Sequence, residues 1–178
     1  MQRVLVGAAL MAVGLGWLLS GTALAQVEKV IDTDKQFVTK AVIDGMAEVQ
    51  LGKMATERAA SPAVKQFAQR MVTGYTKANQ ELMSIAQTKN ITVPAAVDAQ
   101  QQEAIETLAK LQGTSFDRQF MRHMVVDHEK AVQLFSRHAQ ESKDNELKGF
   151  AAKTLPALQE HLQMARDLAQ QQGVSQIR

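Results

Sequence analysis

The chain contains no cysteine, which excludes disulfides, thiolate metal sites and cysteine nucleophiles. It has three prolines, and no run alternates or turns like a β-hairpin. The formal charge is only +2, without a block of basic residues, so nucleic acid binding has no electrostatic footprint. No phosphate-cradling glycine loop and no Ser-His-Asp pattern can be placed. The one long apolar run, Val4 to Leu19, is shorter than the roughly 20 residues that span a bilayer.

That run has another use. Arg3 precedes it, and Ala23-Leu24-Ala25 follows before Gln26. A basic start, an apolar segment and a small-residue exit make a secretory signal peptide, residues 1–25, cut after Ala25. No cysteine follows the cut, so a lipid anchor is excluded. The mature chain, residues 26–178, suits one domain and has no transmembrane segment. The expected location is the periplasm. No β-barrel pattern is present, so an integral outer-membrane place is not expected.

What the sequence does have is Ala, Gln, Leu, Lys and Glu, a helical composition. Four long helices and one short one can be drawn. The first is expected from Asp34 to about Ala60, with Thr33 and Gln36 as a capping box. Ser61-Pro62 ends it and starts the second, which runs to about Thr88. A linker, 89–95, leads to a short helix over 96–112 that stops at Gly113 and that could cross the length of a bundle. The third long helix begins at Thr114 or Ser115 and ends near Glu141. Asp144 caps the fourth, which contains Pro156 and stops at Gly173. The fold class is all-α, a four-helix bundle with a short extra helix in the connection between the second and third long helices.

Each long helix carries one polar residue in its apolar stripe. The first reads Phe37, Ala41, Gly45, Glu48, Gly52, Ala55, Ala59, and the second Phe67, Met71, Tyr75, Ala78, Leu82. The third reads Phe120, Met124, His128, Ala131, Phe135, and the last Leu158, His161, Ala165, Leu168. Glu48 stands 13 residues before Ser61 and Tyr75 stands 14 after it; His128 stands 16 before Asp144 and His161 stands 17 after it. In antiparallel hairpins equal counts mean equal heights, so Glu48 should face Tyr75 and His128 should face His161. Packing the hairpins together brings all four toward one point. Two imidazoles and a carboxylate, with Tyr75 adjacent, suit one ion of Fe, Zn, Cu or Mn. The other reading of the same four residues is a hydrogen-bonded packing cluster, with no metal. Met71, Met124 and Met164 lie near this height as core filler that would also suit copper. His123 and Asp127 read as a solvated pair facing away from the stripe, and His138 as a surface residue. Glu129 and Glu160 point elsewhere by helical phase.

Three segments carry a resemblance: AEVQLGKMATERAASPAVKQFAQRMV, GTSFDRQFMRHMVVDHEKAVQLF and LPALQEHLQMARDLA. They resemble domain-of-unknown-function family 4142, a bacterial ferritin-like family whose members are often labelled outer-membrane proteins. The resemblance covers essentially the whole mature chain. It implies an exported ferritin-like four-helix bundle and brings no established activity. Where that family commonly has Asp-His, this chain has Gly74-Tyr75. The Glu-x-x-His pairs of di-iron bundles are missing as well: Leu158 stands three before His161, and Val72 three before Tyr75.

Two functions follow as expectations. One is an exported ferritin-like bundle with a mononuclear metal site at Glu48, His128, His161 and Tyr75. The alternative is a structural or envelope-partner-binding protein whose polar core only fixes packing. A metal-dependent oxidoreductase would need the metal first; no catalytic motif is found, and oligomeric state is not encoded legibly. The leader makes a direct prediction. Mass spectrometry of exported protein should find the mature N-terminus at Gln26, and a mature chain retaining Arg3 would overturn the assignment.

Overall fold

The structure, a computed structural model, describes residues 20–174, with side chains described from residue 33; the apolar run of the expected leader, Val4–Leu19, lies outside the described residues. Five helices and no strand are found among them: α1 Ser20–Arg58, α2 Pro62–Thr88, α3 Ala99–Ala109, α4 Gly113–Glu141 and α5 Asn145–Gln171. No described helix is long and apolar enough to cross a membrane.

The turn signals act locally as expected at three ends. Ser61 takes an extended backbone (φ −75°, ψ 123°), its hydroxyl accepts from Val64 N, and Pro62 opens α2. Asp144 accepts from both Glu146 N and Leu147 N at 3.0 Å to start α5. Gly173, at φ 71°, lies just beyond α5. Two starts differ from expectation. α1 is already helical from Ser20, so Thr33 and Gln36 lie inside it and do not form a capping box. α4 begins at Gly113 with Gln112 in the cap position and no side-chain cap, so neither Thr114 nor Ser115 has that role. α5 continues through Pro156, which cannot donate to Ala152; the nearby Thr154 hydroxyl donates to Phe150 O at 2.8 Å.

α1 packs along α2, and α4 along α5; α1 also meets α4, and α2 meets α5. Close approach of α1 and α2 depends on small residues. A Cβ at Gly52 would lie 2.8 Å from Val72 Cγ2 and 3.1 Å from Ala68 O. Contacts at one end of the bundle fix the direction of travel. Lys89, just past α2, donates to Asp144 Oδ2 at 2.6 Å, and Ser142, just past α4, donates to Asp34 Oδ1 at 2.9 Å. α2 and α4 therefore finish at the same end and run parallel. The connection between them crosses the full bundle, with α3 lying against α1 and α4.

At the opposite end Asp117 of α4 is completely buried. Its two carboxylate oxygens accept from Ala60 N at 3.1 Å and Ser61 N at 2.9 Å. The carboxylate thereby satisfies two backbone donors of the α1–α2 turn and fastens that turn to α4. Asp117→Ala should lower unfolding free energy by about 1–3 kcal/mol, because two backbone donors of the turn lose their carboxylate partner. Urea unfolding checks this; an unchanged midpoint would show that the turn finds other partners.

Candidate functional site in the bundle core

The apolar interior falls into two clusters. One gathers Leu51, Met71, Phe116, Phe120 and Met124 toward the α1–α2 turn; the other gathers Phe37, Leu82, Phe135, Phe150 and Leu158 toward the α4–α5 turn. Tyr75 packs against both. The four polar stripe residues thus occupy the layer where the two clusters meet.

His128 is fully buried at the centre of that layer. Its Nδ1 lies 2.8 Å from Met124 O, and a carbonyl only accepts, so Nδ1 carries the hydrogen. Burial, together with the nearby His161, pushes its pKa down to about 4 although the Met124 bond works the other way. The ring is therefore neutral at pH 7, and its Nε2 is an acceptor. Tyr75 OH, 3.2 Å from Nε2, is the donor. The His161 ring lies 5.8 Å from that of His128 at 76° and 6.2 Å from the Tyr75 ring. Gly74 leaves room beside it: a Cβ there would stand 3.5 Å from His161 Cε1. His161 Nδ1 is buried without a hydrogen-bond partner, and burial lowers the pKa of this ring too.

Glu48 is 4% exposed, and its Oε2 is buried without a partner. Burial, reinforced by the charges of Asp127 and Asp44, raises its pKa well above the carboxylate range. Burial, then the Glu48 charge, does the same to the Tyr75 phenol. Glu48 and Tyr75 border one cavity of about 220 Å³. The structure thus brings His128, His161 and Tyr75 into ring contact and sets Glu48 beside Tyr75. Among the described residues, no three His, Asp or Glu side chains are already grouped to hold a metal ion.

The neighbouring polar residues correct two expectations. His138 is not on the surface: it is 4% exposed, stacks on Phe37 at 3.7 Å, and sets Nε2 3.2 Å from Asp34 Oδ1. Its position three after Phe135 and seven after Ala131 was the available signal. His123 and Asp127 do pair, at 3.0 Å, but outside hydrogen-bond alignment and largely buried (20% and 15% exposed) instead of solvated. Burial raises the Asp127 pKa, and His123 and Lys130 outweigh it to hold the group below its usual range. Asp127 borders the same cavity as Glu48. Glu129 and Glu160 point outward, toward Arg166 and Arg70.

A helical bundle with one long crossover and a polar layer at mid-height is the class that these observations define. The chain belongs to the family described as "Domain of unknown function (DUF4142)", which matches residues 19–168. No curated protein matches. Solved structures of CopM share the fold. The Cu(I)-bound form superposes with a TM-score of 0.66 at 18% identity, and the Cu(II)-bound form with 0.67 at 19%. The Ag-bound form gives 0.64 at 22% identity. Each comparison covers 78% of this chain and 96% of CopM. At those identities the likeness is one of fold.

The pKa shifts oppose one another across pH. The unfolded chain protonates His128 near 6.5 and the fold only near 4, so this group's share of stability is lost as pH falls through that window. Glu48 does the reverse: the fold keeps its proton above 4.5, so its share is lost as pH rises from there. Glu48→Gln should therefore gain stability over the parent between pH 4.5 and 7. The variant alone should then lose roughly 3 kcal/mol from pH 6.5 to 4 through His128. Urea midpoints across pH test both; a difference between variant and parent that stays constant with pH would contradict the shifted Glu48.

Proposed function

We propose that the protein is an exported, ferritin-like metal-binding bundle that holds one transition-metal ion in its core layer. His128 and His161 would supply imidazole nitrogens and Glu48 a carboxylate oxygen, with Tyr75 alongside. The observation that carries this reading is the pair of buried atoms without partners, Glu48 Oε2 and His161 Nδ1. Each such atom costs about 1–3 kcal/mol, which an ion placed between them would offset. Burial also keeps His128 in the neutral form that a metal requires. Loading the site needs Tyr75 to leave His128 Nε2 and Glu48 to give up its proton. Copper is the first ion to try, since CopM was solved in Cu(I)- and Cu(II)-bound forms and Met71 and Met124 pack in the adjoining cluster. Export to the periplasm is supported by Arg3, the run Val4–Leu19 and the exit Ala23–Ala25.

A second reading has its own observation. The Tyr75–His128–Met124 chain already answers both nitrogens of the central imidazole. On that reading the layer only fixes helix register, and the protein is a structural or partner-binding component of the envelope.

Titration of tag-free mature protein with Cu(I), Cu(II) and Zn(II) separates the two. On the metal reading one ion binds per chain, His128→Ala and His161→Ala abolish binding while the helical spectrum persists, and Tyr75→His tightens it by adding a third imidazole. If no ion binds the parent, or if Tyr75→His changes nothing while both alanine variants lose only stability, the structural reading stands.

A further inference from the structure

The cavity beside the polar layer has a shape and chemistry of its own. Its walls are apolar on one side, formed by Leu82, Ala131, Phe135, Phe150 and Leu158. Gln100 and Gln101 of α3 border it together with residues of α1 and α4, and Gln101 donates to Asp44 Oδ1 there at 2.8 Å. The charges along this border are already matched: Lys40 pairs with Asp44, and Lys130 with Asp127 at 3.2 Å. Tyr75 OH has given its hydrogen to His128, so only its oxygen lone pairs remain. Deeper in the bundle, Glu48 is the unmatched group, 4% exposed with Oε2 lacking any partner. Tyr75 thus offers acceptor lone pairs, and Glu48 offers a buried carboxyl that becomes an acceptor with an unmatched negative charge when it gives up its proton; the Asn79 amide borders the same cavity.

We infer that this cavity is a binding site for a small primary amine with a compact apolar body, its ammonium on Glu48 and Tyr75 and its body against Leu82, Phe135, Phe150 and Leu158. An ammonium supplies three donors and one positive charge, which the Tyr75 oxygen and the ionised Glu48 carboxylate can accept. Size sets the class further. A cavity of about 150 Å³ holds benzene, and this one measures about 220 Å³, room for one ring and a short aminoalkyl arm. Gln101 and the Asp44 bond it makes would have to part for entry, which gives α3 the place of a cover. This site goes beyond the metal reading and does not rest on it; the two share Glu48 and Tyr75 but not His161.

The test uses the mature protein with 2-phenylethylamine and its near-isostere 2-phenylethanol, each titrated calorimetrically. The amine should bind one to one, and roughly tenfold more tightly than the alcohol, because only the amine brings charge to Glu48. Glu48→Gln should remove that preference. Ala131→Phe, which fills the apolar wall, should remove binding of both. His161→Ala should leave amine binding intact while it removes any metal, so failure of one reading does not decide the other. Equal binding of the two compounds, or amine binding that survives Ala131→Phe, overturns the inference, as does no binding by the parent. Should Ala131→Phe not fold, methyl NMR of the parent decides. Shifts on adding amine confined to Leu82, Leu134, Leu158 and Ala131 support the site, and shifts elsewhere refute it.

Discussion

A buried imidazole has two nitrogens to answer, and in this bundle the answer ties two helices from different hairpins together. His128 lies on α4, its Nδ1–H is held by the carbonyl one turn back, and its Nε2 reaches across to Tyr75 on α2. α2 and α4 are parallel and are not major packing partners; each packs mainly against its own hairpin mate. The Tyr75–His128 bond therefore joins one hairpin to the other through the middle of the bundle. Sliding one hairpin by a single turn would carry Tyr75 about 5 Å from His128 and leave a fully buried acceptor unpaired. The apolar clusters above and below supply most of the burial, but they tolerate such slips better than a directional bond does. That bond acts with the end contacts Asp117–Ser61 and Lys89–Asp144 to set the register that puts His161 beside His128 and Glu48 beside Tyr75.

The same layer is incomplete, and its gaps are unevenly placed. His128 has both nitrogens satisfied, whereas Glu48 and His161, to either side, each keep one buried atom without a partner. His123 Nε2 and His138 Nε2 are likewise outside hydrogen-bond alignment, but each lies beside a carboxylate, Asp127 at 3.0 Å and Asp34 at 3.2 Å, so the two orphans of this layer are the ones with no ion-pair partner. The two lie on different sides of Tyr75. Glu48 opens to the cavity near α3, and His161 to the surface between α2 and α5. Tyr75 is thus a partition between two half-satisfied compartments. An ion joining the histidines to Glu48 needs that partition to move, while a ligand that stays on the Glu48 side does not.

Much of this was legible in the sequence because helix caps are local chemistry. Ser61-Pro62, Asp144 and Gly173 act on their own neighbours, and the boundaries they mark hold. Counting from those turns set the four polar residues at one height for the same reason. Thr33 and Gln36 misled because a capping pattern inside a longer helix looks the same as one at its start. Asp117 passed unnoticed although Asp117, Met121, Met124 and His128 follow helical spacing and are all fully buried. Its partners are backbone donors of a turn more than fifty residues earlier, and no side-chain pattern advertises a backbone donor. His138 and the Asp127–His123 pair are largely buried because the covered arc of α4 is wider than a single apolar stripe shows.

That arc is wide because α4 has more neighbours than a hairpin helix needs. α5 covers one side and α1 another, and α3, brought over by the crossover, lies against both α1 and α4. Whether the crossover ran along the bundle could not be settled from either hairpin alone, since each is complete without it. It follows from contacts between the ends: Lys89 with Asp144 at one, Asp117 with the α1–α2 turn at the other. Once α2 and α4 are parallel, the connecting segment must travel the bundle's length, and α3 is the part that rests on the α1–α4 seam. Asp127, His123 and Asp44 then become partly buried polar groups under a helix, where a bare four-helix bundle would leave them in water. The cavity beside Glu48 exists for the same reason, because Gln101 closes a side that would otherwise be open solvent.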